Sequence, residues 1–431
     1  MKTRVLFVAF MLLFALGASA QDHWVATWAA SPQSASFNFP LPKQNPPAPR
    51  TNAPAPKPAA PSQEPSPFAM PPKITNQTVR MIVNTSIGGS RVRVKFSNAY
   101  GTEPLAIGAA RIALHAKDSA IVPDSDRALT FSGNPAFVIP PGALAVSDPV
   151  DLKVPALGDL VISAYAAGEP TAPTIHLTGL HTTYISKPGD FSKAIEIANA
   201  TTIQSWYWIA EVDVLAPANA AAIVAFGDSI TDGATSTPDT NRSWPSQLAE
   251  RLAANKATAG VAIVNHGISG NRLLDDGLGV SALARFDRDV IAQPGVKWLI
   301  VLEGINDIGM SAMMPGIGVS AEDLIAAHKQ MIERAHMHGI KAIGGTLLPY
   351  GGAGYYSEKG ESMRQAVNAW IRTSGTYDAV VDFDAKLRDP QNPSQLNSAY
   401  YISDHLHPND AGYRLMAEAV DLALFETANI K

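Results

Sequence analysis

The sequence predicts two domains: an antiparallel β domain over residues 21–216, followed by an α/β domain with a parallel sheet over residues 217–431. The length of 431 residues is typical of a chain with two or three domains. Short β-type segments fill the first half, and apolar strands alternate with amphipathic helices after Pro217. Hydrophobic residues make up 46% of the chain and charged residues 16%, which allows packed cores and excludes wholesale disorder.

The first twenty residues have the pattern of a secretory signal. Lys2 and Arg4 form a basic start, residues 5–16 are an apolar run, and Ala18-Ser-Ala20 is a small-residue cleavage pattern. The apolar run is too short to span a bilayer comfortably, which disfavours a membrane anchor. We therefore expect an exported protein, periplasmic or extracellular, without stable membrane insertion. The chain has no cysteine, so disulfides, thiol catalysis and a lipoprotein anchor on cysteine are excluded.

A Pro-rich segment interrupts the β domain. Residues 40–72 contain 13 of the 33 prolines. This composition cannot bury enough apolar surface to fold, and it predicts an extended, partly polyproline II segment. Because residues 24–28 before it already have the character of a strand, we interpret residues 40–72 as an insertion.

From Thr78 to about Val214 the signals favour β strands. Residues 79–83 and 91–96 are β-branched or alternating, and Gly88-Gly89 between them predicts a hairpin turn. Segments of the same character follow at residues 109–114, 160–166 and 206–214. Because no helix-period segment stands among them, we expect one antiparallel, sandwich-like β domain that includes residues 24–28.

The second half alternates between strands and helices. Strands are expected at residues 223–226, 262–264, 298–302, 342–346 and 379–381, and helices near 244–255, 278–291, 321–338, 362–373 and 410–426. This alternation predicts a parallel sheet with helices on both faces. Ligands in such sheets bind at the carboxyl ends of the strands.

Polar turns follow three of these strands, and a fourth precedes the last helix. They are Gly227-Asp-Ser229, Asn265–Asn271, Gly304-Ile-Asn306-Asp307 and Ser403–Pro408. In a doubly wound sheet the first three meet at one edge, and the fourth can fold over it. Ser229 lies on a tight strand-to-helix turn, where its hydroxyl is exposed and its own N–H stands at a helix start.

These turns supply the groups that acyl transfer needs. Ser229 is a candidate nucleophile, His407 a candidate base, and Asp404 can accept a hydrogen bond from the other ring nitrogen of that histidine. The N–H groups of Ser229 and Gly270 and the side-chain amide of Asn306 are candidate donors for the oxyanion hole. Glycine at position 270 lets the backbone approach a substrate closely.

In this order, the four blocks resemble the SGNH hydrolases, also called the GDSL esterase/lipase superfamily. The resemblance covers roughly residues 220–425. It assigns to the name-giving positions Ser229, Gly270, Asn306 and His407, with Asp404 completing the triad. Ile230 stands where the family usually has leucine, a conservative departure. The resemblance implies a flavodoxin-like three-layer α/β/α fold and ester hydrolysis through a Ser-His-Asp acyl-enzyme, with no cofactor and no metal.

The first half resembles the β domain that precedes the hydrolase domain in secreted bacterial GDSL-type esterases. Three blocks carry this resemblance: Thr27–Pro32, Ser86–Gly89 and Ser97–Gly101. It indicates architecture more than substrate, and the Pro-rich segment is a departure from it.

Some of these residues have a second interpretation. His405 competes with His407 as the base, and a metal site is the alternative for the cluster of Asp404, His405, His407 and Asp410. Asp228 is expected to anchor its turn by hydrogen bonds to nearby backbone. Arg272 and Glu303 flank motif turns, and each either contacts substrate or pairs with a neighbour.

The tryptophans of the β domain also have two interpretations. Trp24, Trp28, Trp206 and Trp208 invite a sugar-binding role. Burial in the core or at a domain interface is the commoner fate of such residues.

Export and the β partner domain together favour a serine esterase that removes short acyl groups, acetyl above all, from carbohydrates. The expected partner is a small-molecule or polysaccharide ester. The alternatives are a lipase or lysophospholipase acting on longer acyl esters, and a carbohydrate-binding surface protein with a relic hydrolase domain. A net charge of −5 without a basic stripe disfavours nucleic acid as a partner.

Overall fold

The computed structural model describes residues 22–35, 71–168, 174–313 and 318–426. The expected signal at residues 1–20 lies outside the described residues, as does the Pro-rich segment apart from its last two positions. Within the described ranges, no helix is both long enough and apolar enough to cross a membrane.

Antiparallel strands dominate the β domain. In chain order they are β1 (Trp24–Ala29), β2 (Gln33–Ser34), β3 (Gln77–Asn84), β4 (Gly89–Ser97), β5 (Leu105–Lys117), β6 (Ala120–Ile121), β7 (Arg127–Leu129), β8 (Phe137–Ile139), β9 (Leu144–Val146), β10 (Val150–Val154), β11 (Asp159–Ala166), β12 (Thr174–His176), β13 (Thr183–Pro188), β14 (Thr201–Ile203), β15 (Trp206–Tyr207) and β16 (Ile209–Leu215). A 3-10 turn at Pro123–Ser125 separates β6 from β7.

These strands form two large sheets and a small one. The first large sheet has the order β1-β16-β4-β10 with β9 beside β4, and the second has the order β14-β13-β3-β11-β5-β6 with β7 and β8 beside β5. Alternate residues of both, such as Val79 and Met81 of β3 and Val92 and Val94 of β4, are buried in one core. The expected sandwich-like β domain is confirmed. The small sheet, β15-β12-β2, lies outside both.

The predicted hairpin at Gly88-Gly89 is wrong. The strands on either side lie in different sheets, because β3 pairs with β11 and β13 whereas β4 pairs with β10 and β16. The glycines allow close approach instead. A Cβ at Gly88 would lie 2.5 Å from the carbonyl oxygen of Val154, and one at Gly89 would lie 2.7 Å from that of Leu215.

The α/β domain is built on a parallel sheet. Its strands are β17 (Ala221–Gly227), β18 (Val261–Gly267), β19 (Val296–Leu302), β20 (Lys341–Gly345) and β21 (Ala379–Val381). They lie in the order β18-β17-β19-β20-β21, and each pair is parallel. The inner strand β17 is buried along its whole length, as a strand covered on both faces must be.

Helices connect these strands, and the predicted parallel α/β fold is confirmed. The helices are α1 (Ser229–Asp232), α2 (Trp244–Ala254), α3 (Ala282–Phe286), α4 (Ile305–Met313), α5 (Ala321–Met337), α6 (Glu358–Thr373), α7 (Phe383–Leu387) and α8 (Asp410–Ala419). A π-helical turn, Asp287–Ile291, extends α3. The last helix ends earlier than predicted, and a 3-10 turn at Leu422–Phe425 follows it.

The two domains share a continuous interface. Ala26 of β1 is buried in the core of the α/β domain, and Ala262 of β18 is buried in the core of the β domain. The hydroxyl oxygen of Ser86 accepts a hydrogen bond from the N–H of Ile263 at 3.2 Å. The β domain therefore covers the edge strand β18 and satisfies a backbone donor there.

Candidate active site

The strand β17 delivers Ser229 to the carboxyl edge of the parallel sheet. Asp228 follows the strand and caps α1, because its Oδ1 accepts a hydrogen bond from the Ile230 N–H at 2.9 Å. A Cβ at Gly227 would collide with the carbonyl oxygen of Leu302, so this tight turn requires glycine. Ser229 is the first residue of α1 and is 6% exposed. Asp228 anchors the turn, as predicted.

The loop before α8 places a histidine and a carboxylate beside Ser229. His407 Nε2 lies 2.8 Å from Ser229 Oγ, and His407 Nδ1 lies 2.6 Å from Asp404 Oδ2. Because a carboxylate can only accept hydrogen bonds, the His407 Nδ1 carries the proton. The unprotonated Nε2 can then accept a hydrogen bond from the Ser229 hydroxyl. The structure brings the three residues of the predicted triad into one hydrogen-bonded chain.

The Asp404 carboxylate is fixed by its own loop. Its Oδ1 accepts from the N–H groups of Leu406 at 3.0 Å and His407 at 3.1 Å. Burial opposes the charge of Asp404, but these bonds and the one from the His407 ring outweigh burial and hold the pKa of the carboxyl below its ordinary value. Asp404 is therefore ionised at neutral pH and orients the His407 ring.

The predicted oxyanion donors lie on neighbouring turns. Gly270 has a φ of +77°, a left-handed conformation that favours glycine. The Asn306 amide donates to the carbonyl oxygen of Asn271 at 2.9 Å, which fixes Asn306 beside the residue that follows Gly270. The Tyr355 hydroxyl donates to Asn306 Oδ1 at 3.3 Å. The amide orientation is thus set, and its NH₂ group keeps one hydrogen for a ligand.

A buried arginine ties the turns together. Arg285 of α3 donates to the carbonyl oxygens of Gly227 at 2.9 Å and His266 at 2.7 Å. It also donates to Asn271 Oδ1 at 2.8 Å. Asp289 balances its charge at 3.1 Å. One guanidinium thereby connects the turn before Ser229 with the turn that carries Gly270.

Sequence reasoning missed Arg285. It lies with Ala282 and Phe286 on the buried face of α3, as a single charge in an otherwise apolar helical stripe. Tyr355 was missed as well, because it stands in a Gly- and Tyr-rich loop without a motif. For Arg285 the sequence does carry a signal, namely a single charged residue within the apolar stripe of α3.

Three carboxyl groups are buried near these turns. Burial raises the pKa of Asp228 to about 7 and that of Asp307 to about 6, although backbone N–H groups donate to each. Burial and the nearby Asp228 raise the pKa of Glu303 well above its ordinary value, and Glu303 lies 3.7 Å from Arg285. Arg272 pairs with a neighbouring aspartate at 3.4 Å. Glu303 and Arg272 both pair with neighbours.

His405, the other candidate base, packs against a tyrosine. The His405 ring lies 4.8 Å from the ring of Tyr401, centroid to centroid, and the histidine two residues later makes the bond to the serine. Asp410 accepts from the N–H and the hydroxyl of Thr237 at 2.9 and 2.6 Å. Among the residues that the structure describes, no group of three His, Cys, Asp or Glu side chains could hold a metal ion.

The tryptophans of the β domain serve packing. Trp28, Trp206 and Trp208 are buried. The rings of Trp28 and Trp206 meet edge to face with their centroids 4.9 Å apart. Trp24 is half-buried and lies under the guanidinium of Arg93 at 4.5 Å. Their packing favours a structural role over sugar recognition.

Residues 225–415 match the model of the GDSL-like lipase/acylhydrolase family. Several solved structures are similar to part of the chain. A catalytic mutant of an acetylxylan esterase from Geobacillus stearothermophilus is 23% identical, over 46% of this chain and 91% of that chain, with a TM-score of 0.37. A GDSL-like lipase from Bacteroides thetaiotaomicron is 22% identical, over 47% and 87%, with a TM-score of 0.35. An alpha/beta hydrolase from the metagenome of Lake Arreo, Spain, is 22% identical, over 49% and 98%, with a TM-score of 0.38. No curated protein matches the chain.

Proposed function

We propose that this chain is a carboxylic ester hydrolase that works through a Ser-His-Asp acyl-enzyme, since residues 225–415 match the model of the GDSL-like lipase/acylhydrolase family. The observation that carries the proposal is the chain of hydrogen bonds from Asp404 through His407 to Ser229, at 2.6 and 2.8 Å. Nucleophile, base and orienting carboxylate are already in line before substrate binds.

In the first step His407 Nε2 takes the proton of the Ser229 hydroxyl as Oγ attacks the ester carbonyl carbon. The imidazolium that forms is stabilised by Asp404, which holds the ring in the required tautomer. When the tetrahedral intermediate collapses, His407 gives its proton to the departing alcohol, and the acyl group stays on Ser229.

The second step repeats this chemistry with water. His407 removes a proton from the attacking water, and Ser229 leaves as the acid is freed, regaining its proton from the histidine. In both steps the oxyanion is held by the N–H groups of Ser229 and Gly270 and by the Asn306 amide. Each such donor is expected to contribute about 10²–10³ in rate.

We propose an exported enzyme, periplasmic or extracellular, that removes acetyl groups from carbohydrates. The leader at residues 1–20 supports export. Half-buried tyrosines support a sugar substrate: Tyr355 bonds to Asn306, and Tyr401 packs on His405 in the loop of the triad. Tyrosine offers both a ring face and a hydroxyl, which suits a partly polar, ring-shaped ligand.

The test is a series of p-nitrophenyl acyl esters, hydrolysed by the wild type and by Ser229→Ala. The matched control is Ser362→Ala, because Ser362 is an exposed serine on α6 that bonds only to its own helix. We expect activity on acetyl and other short esters, its loss in Ser229→Ala, and its retention in Ser362→Ala. Release of acetate from an acetylated polysaccharide then tests the natural substrate class.

Two outcomes would redirect the proposal. A preference for acyl chains longer than about eight carbons would indicate a lipase or lysophospholipase, because only a long apolar groove gains free energy from each added methylene. Polysaccharide binding without turnover by the intact triad would support a binding protein with a relic site.

A further inference from the structure

The carboxylate of Asp232 joins parts of the molecule that meet beside the triad. Asp232 is the last residue of α1, the helix that begins at Ser229, and its side chain is 3% exposed. Its Oδ2 accepts from the N–H and the hydroxyl of Ser269 at 2.8 and 2.7 Å. Because Ser269 directly precedes Gly270, this carboxylate links the helix of the nucleophile to the turn that carries a proposed oxyanion donor.

The other oxygen of Asp232 faces the β domain. Its Oδ1 lies 3.0 Å from Nε2 of His176, the last residue of β12. The Nδ1 of the same ring lies 3.0 Å from the carbonyl oxygen of Ser31. Both partners only accept hydrogen bonds, and a neutral imidazole carries one N–H, so only the imidazolium can donate to both. The geometry therefore assigns His176 its positive form.

The surrounding charges agree with this assignment. Burial opposes a charge on His176, but Asp232 and the Ser31 carbonyl outweigh both burial and the repulsion from Arg285, so the pKa of His176 lies above its ordinary value. Two opposite charges, one from each domain, thus face each other with only 3% of each side chain exposed.

Two further histidines stand near this pair, and neither takes its place. His266 contacts the hydroxyl of Ser31 at 3.0 Å, and burial lowers its pKa to about 4, so it is neutral. His181 bonds to Asn241 at 2.8 Å, and its ring lies 6.2 Å from Trp206, centroid to centroid. His176 stacks on Trp206 as well, at 5.6 Å.

Two more side chains of the β domain hold the same turn. Thr178 Oγ1 donates to Ser269 Oγ at 3.0 Å. Gln33 is buried and donates from its side-chain amide to the carbonyl oxygen of Leu278, whose side chain lies against Gly270. The β domain therefore holds the Gly270 turn from several directions.

We propose that His176 is a positioning residue for ester hydrolysis: its imidazolium holds Asp232, which holds Ser269 and so keeps the Gly270 N–H aligned with Ser229. The inference rests on the proposed function. It makes the β domain a working part of the active site, in contrast to a separate binding module.

The charge of His176 should make kcat depend on pH. A raised folded-state pKa means that the stabilisation from His176 is fully present below the ordinary histidine pKa and is lost as pH rises through the raised value. Once His176 is neutral, either Asp232 or the Ser31 carbonyl loses its donor. The wild-type kcat is expected to fall on the alkaline side without any change in the triad.

The experiment compares kcat and KM for p-nitrophenyl acetate across pH in the wild type, His176→Ala and His176→Gln. We expect kcat to fall about 10- to 100-fold in His176→Ala, bounded by the loss of one oxyanion donor. KM should stay within about threefold of the wild-type value, because the lost interaction acts in the transition state. His176→Gln can donate one of the two bonds and cannot titrate. It should regain part of the kcat and lack the alkaline fall.

The matched control is His115→Ala. His115 also faces an aspartate, Asp159 at 3.7 Å, but it lies on β5, away from the α/β domain. Its kcat and pH profile should match the wild type. If His176→Ala does not fold, the His176→Gln and Thr178→Val variants test the positioning role instead. Thr178→Val should then lower kcat a few-fold.

A kcat for His176→Ala within about threefold of the wild type would overturn the inference, as would an alkaline fall that survives in His176→Gln. These results are distinct from failure of the proposed function. If Ser229→Ala is as active as the wild type, the proposed function fails whatever His176 does. If activity depends on Ser229 but not on His176, only the positioning role fails.

Discussion

Replacing Arg285 with methionine should cost the α/β domain much of its stability. The arginine is fully buried and donates to Asp289 and to four uncharged acceptors: the carbonyl oxygens of Gly227 and His266, the side chain of Asn271 and the hydroxyl of Ser31. Each buried acceptor left without a donor costs about 1 kcal/mol or more. The loss of the cation also removes one of the two arginines that balance the charge of Asp289. The sum falls within the range of about 3–5 kcal/mol typical of removing one partner of a buried ion pair.

Lysine at the same position should recover only part of this loss. It restores the charge, but a single ammonium cannot reach the acceptors that the planar guanidinium of Arg285 serves together. We expect Arg285→Lys to lose about 2 kcal/mol, equivalent to one or two buried hydrogen bonds. Because Arg285 ties the turns before Ser229 and after Gly270, kcat should fall in both variants.

The assay is equilibrium unfolding in urea, followed by tryptophan fluorescence and by loss of esterase activity. The matched control is Arg334→Met, because Arg334 contacts the same helix from outside and pairs with an exposed aspartate. That variant should lose less than about 1 kcal/mol. The reasoning is refuted if Arg285→Met loses no more free energy of unfolding than Arg334→Met. It is also refuted if stability falls while kcat stays unchanged.

Three further predictions concern the site itself. Asn306→Ala should lower kcat on p-nitrophenyl acetate by about 10²–10³ with little change in KM, because an oxyanion donor is removed; an unchanged kcat would exclude Asn306 from the oxyanion hole. Tyr355→Phe should lower kcat a few-fold by freeing the Asn306 amide to rotate. The kcat of the double variant, compared with those of Asn306→Ala and Tyr355→Phe, should show that the two effects are not additive. Asp404→Asn should be milder than His407→Ala, which should lose about 10⁴ or more of the wild-type rate. Because the folded-state pKa of Asp404 is lowered, its contribution is present above the ordinary aspartate pKa and is lost as pH falls through the lower value, so the acid stability of Asp404→Asn should vary less with pH.

The α/β domain could be predicted from sequence because its signals are local. A central parallel strand is buried on both faces, so β17 and β19 appear as continuous apolar runs, and amphipathic helices follow them. The polar turns at the strand ends could be located for the same reason. The parallel topology then required those turns to meet at one edge.

The β domain was harder, because strand pairing is not local. The residues around Gly88-Gly89 carry the signal of a hairpin, yet the chain crosses there from one sheet to the other. The predicted strand at residues 206–214 also divides in two, because Trp208 adopts a φ of 58° between β15 and β16. Hydrophobic alternation alone does not determine which strands pair with each other, and it does not reveal this backbone turn.

The residues of the proposed triad could be named from their types and their order in the chain, whereas the residues that support them could not. Arg285 and His176 belong to no motif and lie far from Ser229 in the sequence, one in each domain. Asp232 lies only three residues after Ser229, but its partner His176 comes from the other domain. Only the packing of the domains shows that a histidine of a small β sheet faces the helix of the nucleophile.

The most direct test of the central claim is to locate the nucleophile by mass spectrometry. A fluorophosphonate reagent forms a covalent bond to an activated serine Oγ as fluoride leaves, and peptide mapping identifies the serine. We expect a single modification at Ser229, absent in Ser229→Ala and much slower in His407→Ala. Modification of another serine, or esterase activity in Ser229→Ala equal to that of the wild type, would contradict the account.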